Sequence, residues 1–154
     1  MIDERDRKIL QLLQQDASLA VVELAGRVHL SVSACSRRIQ RLESEGYIAR
    51  RTVVLDRERM GVPTTVFVLV KTSHHSVEWM ESFRSVIADI PEIVEVHRLT
   101  GNIDYILKVI LPSVEHYDVI YKAIVRKVEL FDMSASISME ILKAGTEIPV
   151  AYAK

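Results

Sequence analysis

Residues 21–44 place two segments of helical period within three residues of each other, and few folds accommodate that. In "VVELAGRV", Val21, Leu24, Ala25 and Val28 fall on one face of a helix. In "VSACSRRIQRLES", Val32, Cys35, Ile39 and Leu42 recur at steps of three, four and three, which makes them a buried stripe. Only His29, Leu30 and Ser31 separate the two, and Ser31 is a favoured N-cap residue. A preceding segment, "DERDRKILQLLQQD", carries Ile9, Leu10, Leu12 and Leu13 at helical spacing behind a capping Asp3. Gly46 ends the third helix, and the β-rich "YIARRTVVLD" that follows reads as a short hairpin or extended strand. Three helices, a tight turn and a β-wing are the plan of a winged helix-turn-helix.

The segment "DRERMGVP" lacks apolar period and contains Gly61 and Pro63, so it reads as a linker. Beyond it the element types alternate. "TTVFVLVKT", "EIVEVHRLT", "DYILKVIL" and "MSASISMEILKA" are strand-like, and "SVEWMESFRSVIADI" and "SVEHYDVIYKAIVRKV" are helical. The order β-α-β-β-α-β is ferredoxin-like. The fold class expected is therefore α+β, with residues 1–50 a helix-turn-helix domain and 51–62 a wing and linker. Residues 63–154 form the second domain. Two helices cover one face of its sheet, and the other face requires a partner, so self-association is expected.

Burying Cys35, Ile39 and Leu42 turns Ser33, Ser36, Arg37, Gln40 and Arg41 outward, with Arg38 at the edge. A recognition helix offers its N-terminal residues to base edges. Ser31, Ser33, Ser36 and Arg37 stand at that end, while Arg38 and Arg41 would lie nearer the phosphates, extended by Arg27, Arg50 and Arg51. No acidic residue interrupts Ser31 to Leu42. The alternative is an ordinary solvated face, and net charge does not decide between them. Residues 1–60 hold 11 Lys and Arg against 9 Asp and Glu, within a chain whose formal charge is −1.

Composition excludes other classes. The chain is 49% hydrophobic and 27% charged, an ordinary globular profile, and no apolar run approaches the ~20 residues of a membrane span. One cysteine and a charged N-terminal segment fit a cytoplasmic protein.

"DERDRKILQLLQQD…ELAGRVHLSVSACSRRIQRLESEGYI", the linker before "VFVLVKT", and "LTGNIDYILKV" together resemble the Lrp/AsnC family of regulators over essentially the whole chain. The resemblance implies a transcriptional regulator of amino-acid metabolism, with double-stranded DNA and a small amino-acid effector as ligands and no cofactor. It further implies a homodimer that assembles to an octamer. The effector would bind near the turn in "LTGNIDYILKV". There Thr100, Gly101 and Asn102 can offer backbone N–H groups to a carboxylate, and Asp104 can accept from an ammonium. Ser134 and Ser136, alternating to one face of the last strand, would complete the pocket. Asp104 could equally serve only to stabilise the turn.

The chain departs from the family pattern in its second helix. Ala20 stands where family members often carry a capping Ser or Thr, a loss of about 1 kcal/mol. His29 occupies a turn position that usually holds Gly and calls for positive φ. Adjacent His74 and His75 suggest a metal, but Ser76 capping the next helix explains the segment better. Relatives with this two-domain plan include tetrapyrrole decarboxylases, an alternative for which His97 and His116 are the candidate residues.

Overall fold

The computed structural model describes residues 1–145 and 147–154. The chain forms two compact units, residues 1–54 together with 143–154, and residues 55–142. The sequence pattern had assigned 143–154 to the second domain; the structure packs this segment into the first.

The first unit contains α1 (Glu4–Gln15), α2 (Val21–Arg27) and α3 (Val32–Ser44), with a 3-10 turn at Val150–Tyr152. Ile9, Leu24, Cys35 and Leu42 are fully enclosed, joined by Val28 and Ile39. Burying each large aliphatic side chain contributes about 1.5–3 kcal/mol. Ala20 provides no side-chain cap for α2. His29 adopts φ 53°, the left-handed conformation expected at that position. It lets Leu30 N–H return to Ala25 O at 2.9 Å, closing the turn. Ser31 Oγ accepts from Ala34 N–H at 3.3 Å, which starts α3 as expected.

An ionic cluster fastens α3 to α1. Asp3 and Asp6 form a reciprocal capping box: Asp6 N–H donates to Asp3 Oδ1 at 2.9 Å and Asp3 N–H to Asp6 Oδ2 at 3.0 Å. Asp6 is only 1% exposed. Arg38 Nη1 lies 2.9 Å from Asp6 Oδ1 and 2.7 Å from Asp3 Oδ2, and Arg41 Nη2 lies 2.6 Å from Asp6 Oδ2. The Asp6 backbone N–H, helped by the Arg38 guanidinium, holds the Asp3 carboxyl down to about 2.

The wing is not a hairpin. Residues 49–56 form no ladder with other described residues, and Val53 and Val54 are each 82% exposed. A hairpin requires a second strand. The chain instead winds into a turn after Asp56, where Met60 N–H donates to Asp56 O and Val62 N–H to Arg57 O.

The second unit is a four-stranded antiparallel sheet in the order β2-β3-β1-β4. Its strands are β1 (Thr64–Lys71), β2 (Ile93–Arg98), β3 (Tyr105–Leu111) and β4 (Asp132–Ile137), with α4 (Val77–Ala88) and α5 (Tyr117–Val125) between them. This is the expected βαββαβ order. Val66 pairs with Val109, Val68 with Leu107 and Val70 with Tyr105, so these residues share one face. They are packed with Phe83, Ile120 and Ile124 from the helices. Phe67, Leu69, Ile106 and Ile110 are half-buried on the opposite face. The last strand stops at Ile137, short of the expected end at residue 144. Trp79 stacks on Phe83 with ring centroids 5.1 Å apart and donates its indole N–H to Glu129 O.

Replacing Asp6 by Ala leaves two guanidiniums facing a buried hole, and should destabilise the first unit by about 2–3 kcal/mol in urea unfolding followed on α1 amides. Folding lowers the Asp3 pKa, so its stabilisation is complete above the ordinary value of 3.8 and disappears as pH falls toward about 2. Asp3→Asn should flatten acid unfolding of α1 across that interval; an unchanged acid profile would exclude the role.

Candidate nucleic-acid interface and ligand loop

The N-terminal half of α3 is open. Ser31 and Ser33 are exposed, with their hydroxyls 3.3 Å apart, and Ser36 is half-buried. Arg37 is exposed and has no ion-pair partner among the described residues. Ala34, Arg37, Arg38 and Arg41 line a shallow open depression along this side of the helix. Gln40 is exposed one turn further on. A planar guanidinium without an acid beside it is the donor best suited to a base edge or a phosphate.

The remaining basic residues are less free than their sequence positions suggest. Arg38 and Arg41 are held by Asp3 and Asp6. Arg27 pairs with Glu23 one helical turn earlier at 2.5 Å. Arg51 pairs with Glu43 at 3.0 Å and reaches Ala17 O. Arg50 is exposed and, among the described residues, unpaired. Sequence reasoning missed Asp6. The available signal was a pair of Asp residues at i and i+3 across the start of α1, matched by two arginines at i and i+3 on α3.

The β2–β3 turn is anchored at both ends. Leu99 N–H donates to Asp104 O at 2.8 Å, and Asp104 N–H donates to Val70 O at 3.0 Å. Asp104 Oδ2 accepts from Thr72 N–H at 2.8 Å, tying the turn to the end of β1. Thr100, Gly101 and Asn102 are exposed between these anchors, with Gly101 at φ 106°, a conformation that favours glycine. Ser134 and Ser136 lie opposite Leu69 and Phe67 on β4. Strand β1 runs between them and β3, a separation of about 10 Å, so they do not converge with the turn into one pocket.

The histidines occupy separate places. His74 lies 3.5 Å from Glu129, His97 bonds Glu95 at 2.6 Å, and His116 lies 3.4 Å from Glu92. Ser76 Oγ accepts from Trp79 N–H, capping α4 as expected. No group of three or more His, Cys, Asp or Glu placed to hold a metal occurs among the described residues. No helix among them is long and apolar enough to cross a membrane.

Comparison with known proteins fits these two units. Residues 2–49 match the family described as winged helix-turn-helix DNA-binding, and residues 65–148 match the Lrp/AsnC ligand binding domain. The chain is 57% identical over 152 residues to the HTH-type transcriptional regulator Zrp of Zymomonas mobilis, covering 99% of each. It is 40% identical to the DNA-binding transcriptional activator DecR of Escherichia coli, covering 97% of this chain and 99% of that one. An AsnC family regulator from Agrobacterium tumefaciens superposes with a TM-score of 0.94 at 43% identity, over 99% of this chain and 100% of the other. A transcriptional regulator from Neisseria meningitidis, solved as an L-Met complex, gives 0.92 at 28% identity over 97% of both. These relatives carry regulator names, not those of tetrapyrrole enzymes. With both domains matched in order across nearly its whole length, the chain belongs to the Lrp/AsnC family of DNA-binding transcriptional regulators.

Proposed function

We propose that this regulator reads double-stranded DNA with the N-terminal half of α3 and is switched by a small amino acid bound at the β2–β3 turn. The observation that carries the first part is Arg37, an exposed guanidinium with no acidic partner among the described residues, beside Ser33 and Ser36. These three face base edges, and Arg50 contacts phosphate. Arg38 and Arg41 reach phosphate only through the guanidinium N–H groups that Asp3 and Asp6 leave free. Arg27 and Arg51 contribute only where DNA phosphate displaces Glu23 and Glu43.

Support for the second part comes from the exposed turn at Thr100–Asn102, next to an Asp104 whose second carboxylate oxygen accepts no hydrogen bond from the described residues. An α-carboxylate on the turn N–H groups and an α-ammonium on Asp104 would satisfy both ends of a zwitterion. Ser134 and Ser136 then belong to the open sheet face of a homodimer, which assembles further to an octamer, in the cytoplasm. An effector acts on this assembly only through its differential affinity for the bound and free states.

Fluorescence anisotropy on DNA from upstream of the chain's own gene, against scrambled DNA, tests both parts. Arg37→Ala should weaken specific binding by about 1–3 kcal/mol and relax preference for the upstream site. Unchanged preference would remove Arg37 from the reading surface. Asp104→Asn retains an acceptor for Thr72 N–H but removes the charge. It should shift the amino-acid concentration needed for a response by about tenfold or more, leaving DNA affinity without effector intact. An identical dose response in the variant would put the ammonium elsewhere.

A further inference from the structure

The hydrogen bonds that fasten the C-terminal segment to the helical unit use its backbone atoms. Gln14 Nε2 donates to Ile148 O at 3.1 Å, and Ile148 N–H returns a bond to Gln14 Oε1 at 2.7 Å. This reciprocal amide pair imitates the pairing of two strands. Arg7 Nη2 donates to Ala153 O at 3.0 Å, and Tyr47 O–H donates to Lys154 O at 2.6 Å. Arg7 and Gln14 stand seven residues apart on α1, two turns on the same face. Between these bonds Val150 and Ala153 are half-buried against the helical core, presented by the 3-10 turn that begins after Pro149.

The segment therefore spans the framework that carries α3. One end holds α1, which also holds α3 through Asp6, and the other end holds Tyr47, three residues beyond the end of α3. The ten residues between Ile137 and Ile148 are all that separate this attachment from the last strand of the sensing unit. The chain thus passes between its two units twice.

We infer that the Arg7–Gln14 face of α1 and Tyr47 form a docking surface for residues 147–154, and that DNA binding depends on this latch being closed. The dependence rests on α3 being the DNA reader; the docking surface does not. With the latch open, α1 loses Gln14 and Arg7 as fixed points and the chain after α3 loses Tyr47. The angle at which Ser33, Ser36 and Arg37 are presented is then held by the helical core and the Asp6 cluster, without the tail's bracing of α1 and Tyr47. A change at β4 reaches the reading helix through this short second connection.

The test uses a chain lacking residues 144–154, the full-length Gln14→Ala/Tyr47→Phe double variant, and a labelled peptide of residues 144–154. The peptide should bind the shortened chain, saturably, and should bind the full-length chain far more weakly. DNA affinity should fall about tenfold or more in the shortened chain, fall less in the double variant, and recover when unlabelled peptide is added. Amide exchange on α1 should rise in both variants, while Trp79 fluorescence, a reporter of the sensing unit, stays constant. If the shortened chain fails to fold, the double variant decides alone. Peptide that does not bind, with α1 exchange unchanged in the double variant, overturns the docking surface. Peptide binding and faster α1 exchange with DNA affinity unchanged overturn the dependence. If the full-length chain binds no DNA at all, the reading of α3 fails, and peptide binding still judges the docking surface.

Discussion

A carboxylate that is 1% exposed governs the DNA-binding unit. Removing an ion of this kind from water costs several kcal/mol, so Asp6 keeps its place only because Arg38, Arg41 and the Asp3 N–H surround it. That requirement also sets the rotation of α3 about its own axis. Successive helical residues are turned by about 100°, so Arg41 lies between Arg37 and Arg38 around the helix, and pinning Arg38 and Arg41 to Asp6 leaves Arg37 at the outer border of the same side. One buried acid thereby divides three adjacent or near-adjacent arginines into two that hold the helix and one that faces outward. Chemically identical side chains acquire different tasks from the position of a partner on another helix.

In the sensing unit Asp104 does comparable work with a different partner. Its backbone closes the β2–β3 hairpin, and its side chain receives the first free N–H after β1. The exposed residues Thr100 to Asn102 are consequently the rim of a braced turn. Thr72 extends the bracing by bonding the His74 backbone in both directions, donating to its O and accepting from its N–H. A turn braced in this way has less conformational freedom to lose when anything binds it.

What could be read from the residues depended on whether they carried periodic information. All five helices and the order of the four strands follow from apolar spacing, and the caps at Asp3, Ser31 and Ser76 follow from residue type. The left-handed His29 was legible through the family resemblance, because that turn position usually holds Gly. The roles of Arg38 and Arg41 were not, because a helical stripe indicates which residues face inward without naming the acid that meets those at its border. Of the two readings of the wing, the hairpin fails because β propensity in "TVVLD" reports suitability for a strand and says nothing about a partner strand. The attachment of residues 147–154 left no trace at all. Three of its acceptors are backbone carbonyls, at Ile148, Ala153 and Lys154, and any residue supplies one.

That attachment also makes the helical unit discontinuous along the chain, with residues 1–54 completed by 143–154. During synthesis α1, α2 and α3 emerge first, yet 105 residues lie between Ser44 and Val150, and all must follow before Val150 and Ala153 can join their core. Contacts this distant in sequence form late, because a long loop must close before they contribute. The DNA-reading unit is thus begun first and finished last. A chain interrupted within the sensing unit carries every residue of α3 and still lacks the part that completes its support.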